Sequence, residues 1–165
     1  MNKEEIFKEL DATRERLLLA LEPLPDEAFY EPDVMDDWST ADILTHLIAW
    51  ESELVTALQR IKQGKKPARI LAALNDVDGY NKLRFDENKG REIDRIFSDL
   101  RGLRVQLEEW LADFNNGDLN NTDRFDWSEG HALWTLVKGN SFGHEQQHIP
   151  DIERFSAKWL STDER

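Results

Sequence analysis

None of the 165 residues is a cysteine. That excludes disulfides, thiolate metal sites and cysteine nucleophiles, and it leaves imidazole and carboxylate as the side chains able to hold a metal. No apolar run approaches the roughly eighteen residues that a membrane-spanning helix needs. The polar start, Met1 to Glu5, leads into amphipathic sequence without the apolar stretch of a secretory signal. A cytoplasmic protein with no membrane partner is expected. Positive charge is scarce as well, with 21 Lys and Arg against 34 Asp and Glu, a net charge of −13. The nearest approach to a basic block, Lys62 to Arg69, is short and falls where a loop is expected. A field of this sign repels phosphate backbones, so no nucleic-acid partner is expected.

What remains is the balance of one globular domain spanning residues 1–165, 39% apolar and 33% charged. A chain of this length buries roughly 70% of the surface its unfolded form exposes, so its core needs no structural metal. A metal site would serve function.

Four segments have helical periodicity, and no alternating strand pattern competes with them, which gives an all-α fold. The first helix is capped by Asn2 with Glu5 three residues on, carries Ile6, Leu10, Leu17 and Leu21 on one face, and ends before Pro23 and Pro25. The second opens on Ser39 and Asp42 in the same spacing, runs through Leu47, Trp50, Leu54 and Leu58, and stops at Gly64. A crossover loop is expected from Lys65 to about Asn75, then a short helix from Asp76 to Glu87. The third long helix repeats Ile93, Ile96, Leu100, Leu103, Leu107, Trp110 and Phe114 in the three- and four-residue steps of bundle packing. Asn115 to Asn121 reads as a turn. A last helix is expected from Ser128 onward, with Leu133, Val137, Asn140, His144, His148, Ile152 and Phe155 on one stripe. Pro150 predicts either a bend in that helix or its end near Ile149. Asp-Trp-Ser occurs at Asp37 to Ser39 and again at Asp126 to Ser128, which suggests two similar helix starts.

Of the four histidines, His144 and His148 stand at i and i+4, so their Cβ atoms share one helix face roughly 6 Å apart. They lie on the interior stripe, where an unpartnered imidazole is costly. His46 sits beside core position Leu47 and one turn before Trp50, within reach of the same interior. Spacing alone leaves two readings open: a metal triad, or interior histidines satisfied by side chains such as Glu51, Glu53 or Asn81. His131 precedes His144 by thirteen residues, roughly 20 Å along a continuous helix, and is set aside. Glu145, Glu51 and Asp42 are candidates for orienting the imidazoles, and the first two are also the candidate catalytic residues. Trp50, Tyr80, Asn81 and Asn140 are candidate pocket residues.

The stretch from Trp38 to Glu51, WSTADILTHLIAWE, resembles the second-helix signature of the DinB-like (YfiT-like) four-helix bundle superfamily, and Gly139 to Ile149, GNSFGHEQQHI, resembles its last-helix signature. Tyr80-Asn81, Glu87 to Lys89, Phe125 to Gly130 and Leu133-Trp134 are most similar to the ClbS/DfsB branch. The resemblance implies an up-down-down-up four-helix bundle with a short extra helix between the second and third long helices, and a homodimer. It also implies a divalent metal (nickel, zinc, iron or manganese) held by His46, His144 and His148. The implied activities are those of a metal-dependent hydrolase or thiol S-transferase acting on a small electrophilic metabolite or toxin. A small-molecule-binding resistance protein without turnover, or a dimeric bundle with a vestigial metal site, are the alternatives.

Overall fold

The computed structural model describes residues 1–163, and among these every regular element is a helix, with no strands. Four long helices make the bundle: α1 (Lys3–Leu21), α2 (Thr40–Lys62), α5 (Ile93–Ala112) and α8 (Phe142–Asp163). Between α2 and α5 the chain crosses over through α3 (Ala68–Asn75) and α4 (Val77–Asn88). Between α5 and α8 it forms α6 (Asn116–Asn120) and α7 (Leu133–Gly139). None of the helices is long and apolar enough to cross a membrane.

Helix starts follow the expected chemistry. Asn2 and Glu5 form a reciprocal capping box at α1, and Ser39 and Asp42 form one at α2, each satisfying two backbone N–H groups that a helix start otherwise leaves open. Asp42 is thereby committed to its cap. Gly64, at φ +75°, turns the chain out of α2 in a conformation costly for residues with a Cβ.

The most extensive helix contacts are α2 with α5 and α1 with α8. Leu44 and Leu47 share a core cluster with Ile93 and Ile96, while Leu54 and Leu58 share another with Leu107 and Leu111, so α2 and α5 run parallel. The Gln146 amide donates to Thr13, and Arg16 pairs with Glu153, so α1 and α8 also run parallel, opposite in sense to the first pair. This is the up-down-down-up order.

Four local expectations are corrected. Residues 65–75 are not a loop: Ala68–Asn75 is helix α3, because a run of good helix formers places Ile70 and Ala73 at i and i+3 and buries both. The crossover therefore holds two helices. The supposed turn at Asn115–Asn121 is the short α6, capped reciprocally by Asn115 and Asp118 and anchored by fully buried Leu119. Nor does the final helix run from Ser128. Ser128 lies in a single 3₁₀ turn, Asp126–Ser128, where its hydroxyl donates to Phe125 O rather than capping a helix. Glu129 and Gly130 then adopt positive φ, α7 begins at Leu133, and the chain breaks again at Asn140 before α8. The repeated Asp-Trp-Ser thus marks two different structures. Pro150 lies inside α8, which continues to Asp163, so the helix does not end at Ile149. Gly143 permits the tight α7–α8 junction, since a Cβ there would stand 2.7 Å from Lys138 O.

Candidate metal centre

Midway along the bundle the two apolar clusters are separated by a layer of charge. Each long helix contributes one residue to it: Arg14 from α1, Glu51 from α2, Arg104 from α5 and Glu145 from α8. Arg104 binds Glu51 at 3.0 Å and Glu145 at 2.9 Å; Arg14 binds Glu145 at 2.6 Å and Glu51 at 3.4 Å. The guanidinium groups also donate to helix carbonyls, Arg14 to Leu100 O and Arg104 to Leu10 O. Burial raises the Glu51 pKa and the arginines counter it. Formal charge in the layer sums to zero.

One residue before Glu145 begins a different kind of polar cluster. α2 presents His46, and successive turns of α8 present His144 and His148. Their Nε2 atoms face one another, His46 to His144 at 2.8 Å and His144 to His148 at 3.2 Å. Each neutral Nε2 carries either a proton or a lone pair, so three that converge cannot all be satisfied by one another. Three lone pairs directed at one ion would all be satisfied. Donors roughly 2.0–2.1 Å from a common ion stand about 3 Å apart when the angles between them are near 90°, so the observed separations fit a facial set of imidazole ligands. No other group of three His, Asp or Glu side chains among the described residues converges in this way.

The three rings are held in the neutral form that ligation requires. Burial, then the neighbouring His148, pushes the His46 pKa down to about 4; burial and both neighbours push His144 down to about 3. Burial also lowers His148, against the opposing pull of Asp151. Packing fixes the rings. Trp38 meets His46 edge-on at 5.0 Å between centroids and stacks on Phe85 of α4 at 5.6 Å. The Sδ of Met35 lies 3.2 Å from His148 Nδ1. With its proton on Nδ1, His148 donates to that thioether and turns its Nε2 lone pair toward the other two rings.

Of the remaining sequence candidates, Trp50, Asn81 and Asn140 line a groove of about 310 Å³ floored by the three histidines. Trp50 Nε1 donates to Asn81 Oδ1 at 2.8 Å, tying α2 to α4 beside the cluster. Tyr80 is not part of this groove. Its hydroxyl lies 3.2 Å from both Ala49 O and Glu53 Oε1, burial with Glu53 pushes its pKa up to about 12, and its ring props Trp50 at 4.5 Å. Glu51 and Glu145 are buried and bonded to arginine rather than to a histidine, Glu145 through Oε1 alone with Oε2 unpartnered, so the expectation that they orient the imidazoles is not met. His131 is exposed on α7's approach and lies outside the cluster, though on a broken rather than a continuous helix.

Sequence reasoning missed Met35, Arg14 and Arg104. Met35 has no sequence signal, because it lies in an irregular segment between two positive-φ residues, Asp33 and Asp36. The arginines had one: each interrupts an apolar helix stripe, Arg104 between Leu100 and Leu107 and Arg14 between Leu10 and Leu17.

The sequence profile of the DinB superfamily matches residues 9–152. The chain belongs to the DinB superfamily. Solved structures share its fold at low sequence identity. A Streptococcus pneumoniae protein superposes with a TM-score of 0.82 at 14% identity, covering 95% of this chain and 91% of its own. DfsB, described as a sibling lethal factor precursor, gives 0.80 at 16% identity over 99% and 97%. The colibactin self-resistance protein ClbS, in complex with a dsDNA, gives 0.78 at 16% identity over 93% and 94%. No curated protein matches the sequence. The ClbS complex corrects the blanket expectation about nucleic acid, since this fold does accept duplex DNA in another chain. Net charge describes the distant field, whereas a complex is made by one local face.

Proposed function

We propose that this protein holds one divalent transition-metal ion through His46, His144 and His148 and acts on a small electrophilic metabolite or toxin, as a metal-dependent hydrolase or thiol transferase. The observation that carries the reading is the convergence of three Nε2 atoms within 2.8 and 3.2 Å of their neighbours on a groove floor. Membership of a superfamily that generally binds metal supports it. Such an ion supplies Lewis acidity to an electrophile and lowers the pKa of a thiol or water bound beside it. The chain's own contribution is positional. Trp38 and Met35 fix two imidazoles, Trp50 and Asn81 wall the groove on the α4 side, and buried Asn140 closes it at the α7–α8 break.

A second reading is a resistance protein that binds its small molecule without turnover, favoured by the shared fold with a self-resistance protein. Elemental analysis of protein purified without a histidine tag tests the metal: about one ion per chain is expected, and protein devoid of metal even after reconstitution overturns the first reading. Turnover of an electrophile with a thiol or water, abolished by a chelator and restored by added metal, separates enzyme from binder.

A further inference from the structure

The groove above the histidines does not end at α7. A second groove, about 500 Å³, lies between α3 and the chain from Trp127 through α7, with Leu71, Leu74, Trp127, Leu133 and Leu136 as its apolar wall. Leu74, Gly139 and Asn140 line both grooves, so the two adjoin along these residues. Both walls of the second groove come from elements outside the four long helices, namely the crossover helix and the broken segment before α8. Each groove has the size of a small-ligand site, which typically encloses about 300–1,000 Å³. Leu74 and Val77, on the side of the first groove facing α7, are each 41% exposed, an apolar surface that water covers poorly. Beyond the apolar wall the groove becomes polar at Lys66, Glu129 and His131.

We propose that the second groove binds the body of an elongated amphipathic small molecule, an alkyl or aryl chain whose oxygen- or sulfur-donor head lies at the histidine cluster. The assignment of the head rests on the metal reading; that of the body rests on the apolar lining of the second groove and on the residues it shares with the first. Gly139 stands where the two grooves adjoin. A Cβ built there meets no atom within 4 Å and the residue is helical, so a side chain enters open space without straining the backbone.

Straight-chain hydroxamates, which chelate divalent ions through a constant head, provide the test. Titration calorimetry on metal-loaded protein should show acetohydroxamate binding weakly and affinity rising about threefold to fourfold per added methylene through octanohydroxamate, the increment of burying a CH₂ group. Gly139→Phe should leave acetohydroxamate affinity within about twofold and remove the gain with chain length; Gly139→Leu, a smaller plug, should remove part of it. On metal-free protein octanohydroxamate should still bind, more weakly, and lose that binding in Gly139→Phe. Affinity independent of chain length, or a gain that survives Gly139→Phe, overturns the proposal. Failure of acetohydroxamate to bind the metal-loaded protein, with octanohydroxamate still sensitive to Gly139→Phe, overturns the metal reading and leaves the groove assignment standing.

Discussion

Two polar clusters sit side by side in this bundle, and adjacent residues of one helix, His144 and Glu145, belong one to each. In the charged layer every guanidinium meets a carboxylate and a helix carbonyl, and positive and negative charges cancel. In the histidine cluster like atoms face like atoms, and the interior holds nothing with which to pair them all. In the charged layer only Glu145 Oε2 is buried without a donor, so its pairs must be broken before it can do chemistry; nitrogen lone pairs that converge on one point suit a shared cation instead. The charged layer spans all four long helices and can fix their register, whereas the histidines come from two helices and open onto a groove. This comparison assigns structure to the first cluster and supports the binding role proposed for the second.

Removing a histidine should break it most sharply on the binding side. His144→Ala takes the central ring, the one in contact with both others. Metal affinity, measured by competition with a chromogenic chelator, should fall by more than about 100-fold, exceeding the typical loss from mutating groups that merely orient ligands. Far-ultraviolet helical dichroism should be retained, because two apolar clusters of the core remain intact. His131→Ala should leave metal content unchanged. Equal metal in His144→Ala and wild type would place the ion elsewhere or nowhere.

The charged layer should give the opposite pattern. Arg104→Met leaves Arg14 as the one remaining partner of two buried carboxylates and gives the layer an uncompensated negative charge, which should cost about 3–5 kcal/mol of unfolding free energy, read from the shift in urea midpoint. Metal affinity in the surviving folded fraction should change far less than in His144→Ala. A stability loss below about 1 kcal/mol would mean that the layer is solvated in solution, and the contrast between the clusters would weaken.

The difference between the clusters was only partly legible in the sequence. Period and caps sufficed for most of the long helices, since these follow from side chains repeating on one face, and the i, i+4 spacing put His144 beside His148 while leaving open what they do. The charged layer was written there too, as one charged residue at matching depth in each apolar stripe: Arg14 between Leu10 and Leu17, Glu51 between Leu47 and Leu54, Arg104 between Leu100 and Leu107, Glu145 between Phe142 and Ile149. Reading it required knowing which helices face which, because a lone charge on a stripe is otherwise indistinguishable from a stripe edge. The broken segment ahead of α8 was not legible: residues 128–140 read as helix, and only the positive φ of Glu129 and Gly130 and the tertiary fit of α7 divide them. Met35 lay beyond reach for a simpler reason, since its contact with His148 spans 113 positions of chain and follows no period.

Acid should act on the histidine cluster through stability. The folded pKa values of His46 and His144, about 4 and about 3, lie below the ordinary histidine value of 6.5, and that of His148 is also lowered. As pH falls through about 6.5 the unfolded chain takes up protons that the folded one refuses, so stability present above that pH is lost below it. The slope is about 1.4 kcal/mol per pH unit for each such proton. Urea unfolding of metal-free protein should therefore show falling stability between pH 6.5 and 5, before most carboxylates titrate, and His46→Phe should reduce the slope. A flat profile in that interval would mean that the rings are hydrated rather than buried.

The smallest expected effect sharpens the comparison instead of breaking it. A ligand imidazole must keep its proton on the ring nitrogen that faces away from the metal, and here the group on that side of His148 is the thioether of Met35, 3.2 Å from Nδ1. Sulfur accepts weakly, so its removal should cost less than the tenfold to 100-fold typical of a lost carboxylate or carbonyl partner. Met35→Leu keeps most of the volume and deletes the acceptor; metal affinity should fall about twofold to fivefold, with stability changed by less than about 1.5 kcal/mol. Met35→Gln, which places an amide oxygen at similar reach, should restore or exceed the wild-type affinity. A packing role alone would predict the reverse order, Leu better than Gln, because an amide buried without its bond is penalised. The rank of those two variants thus tells whether the sulfur orients His148 or merely fills the space beside it.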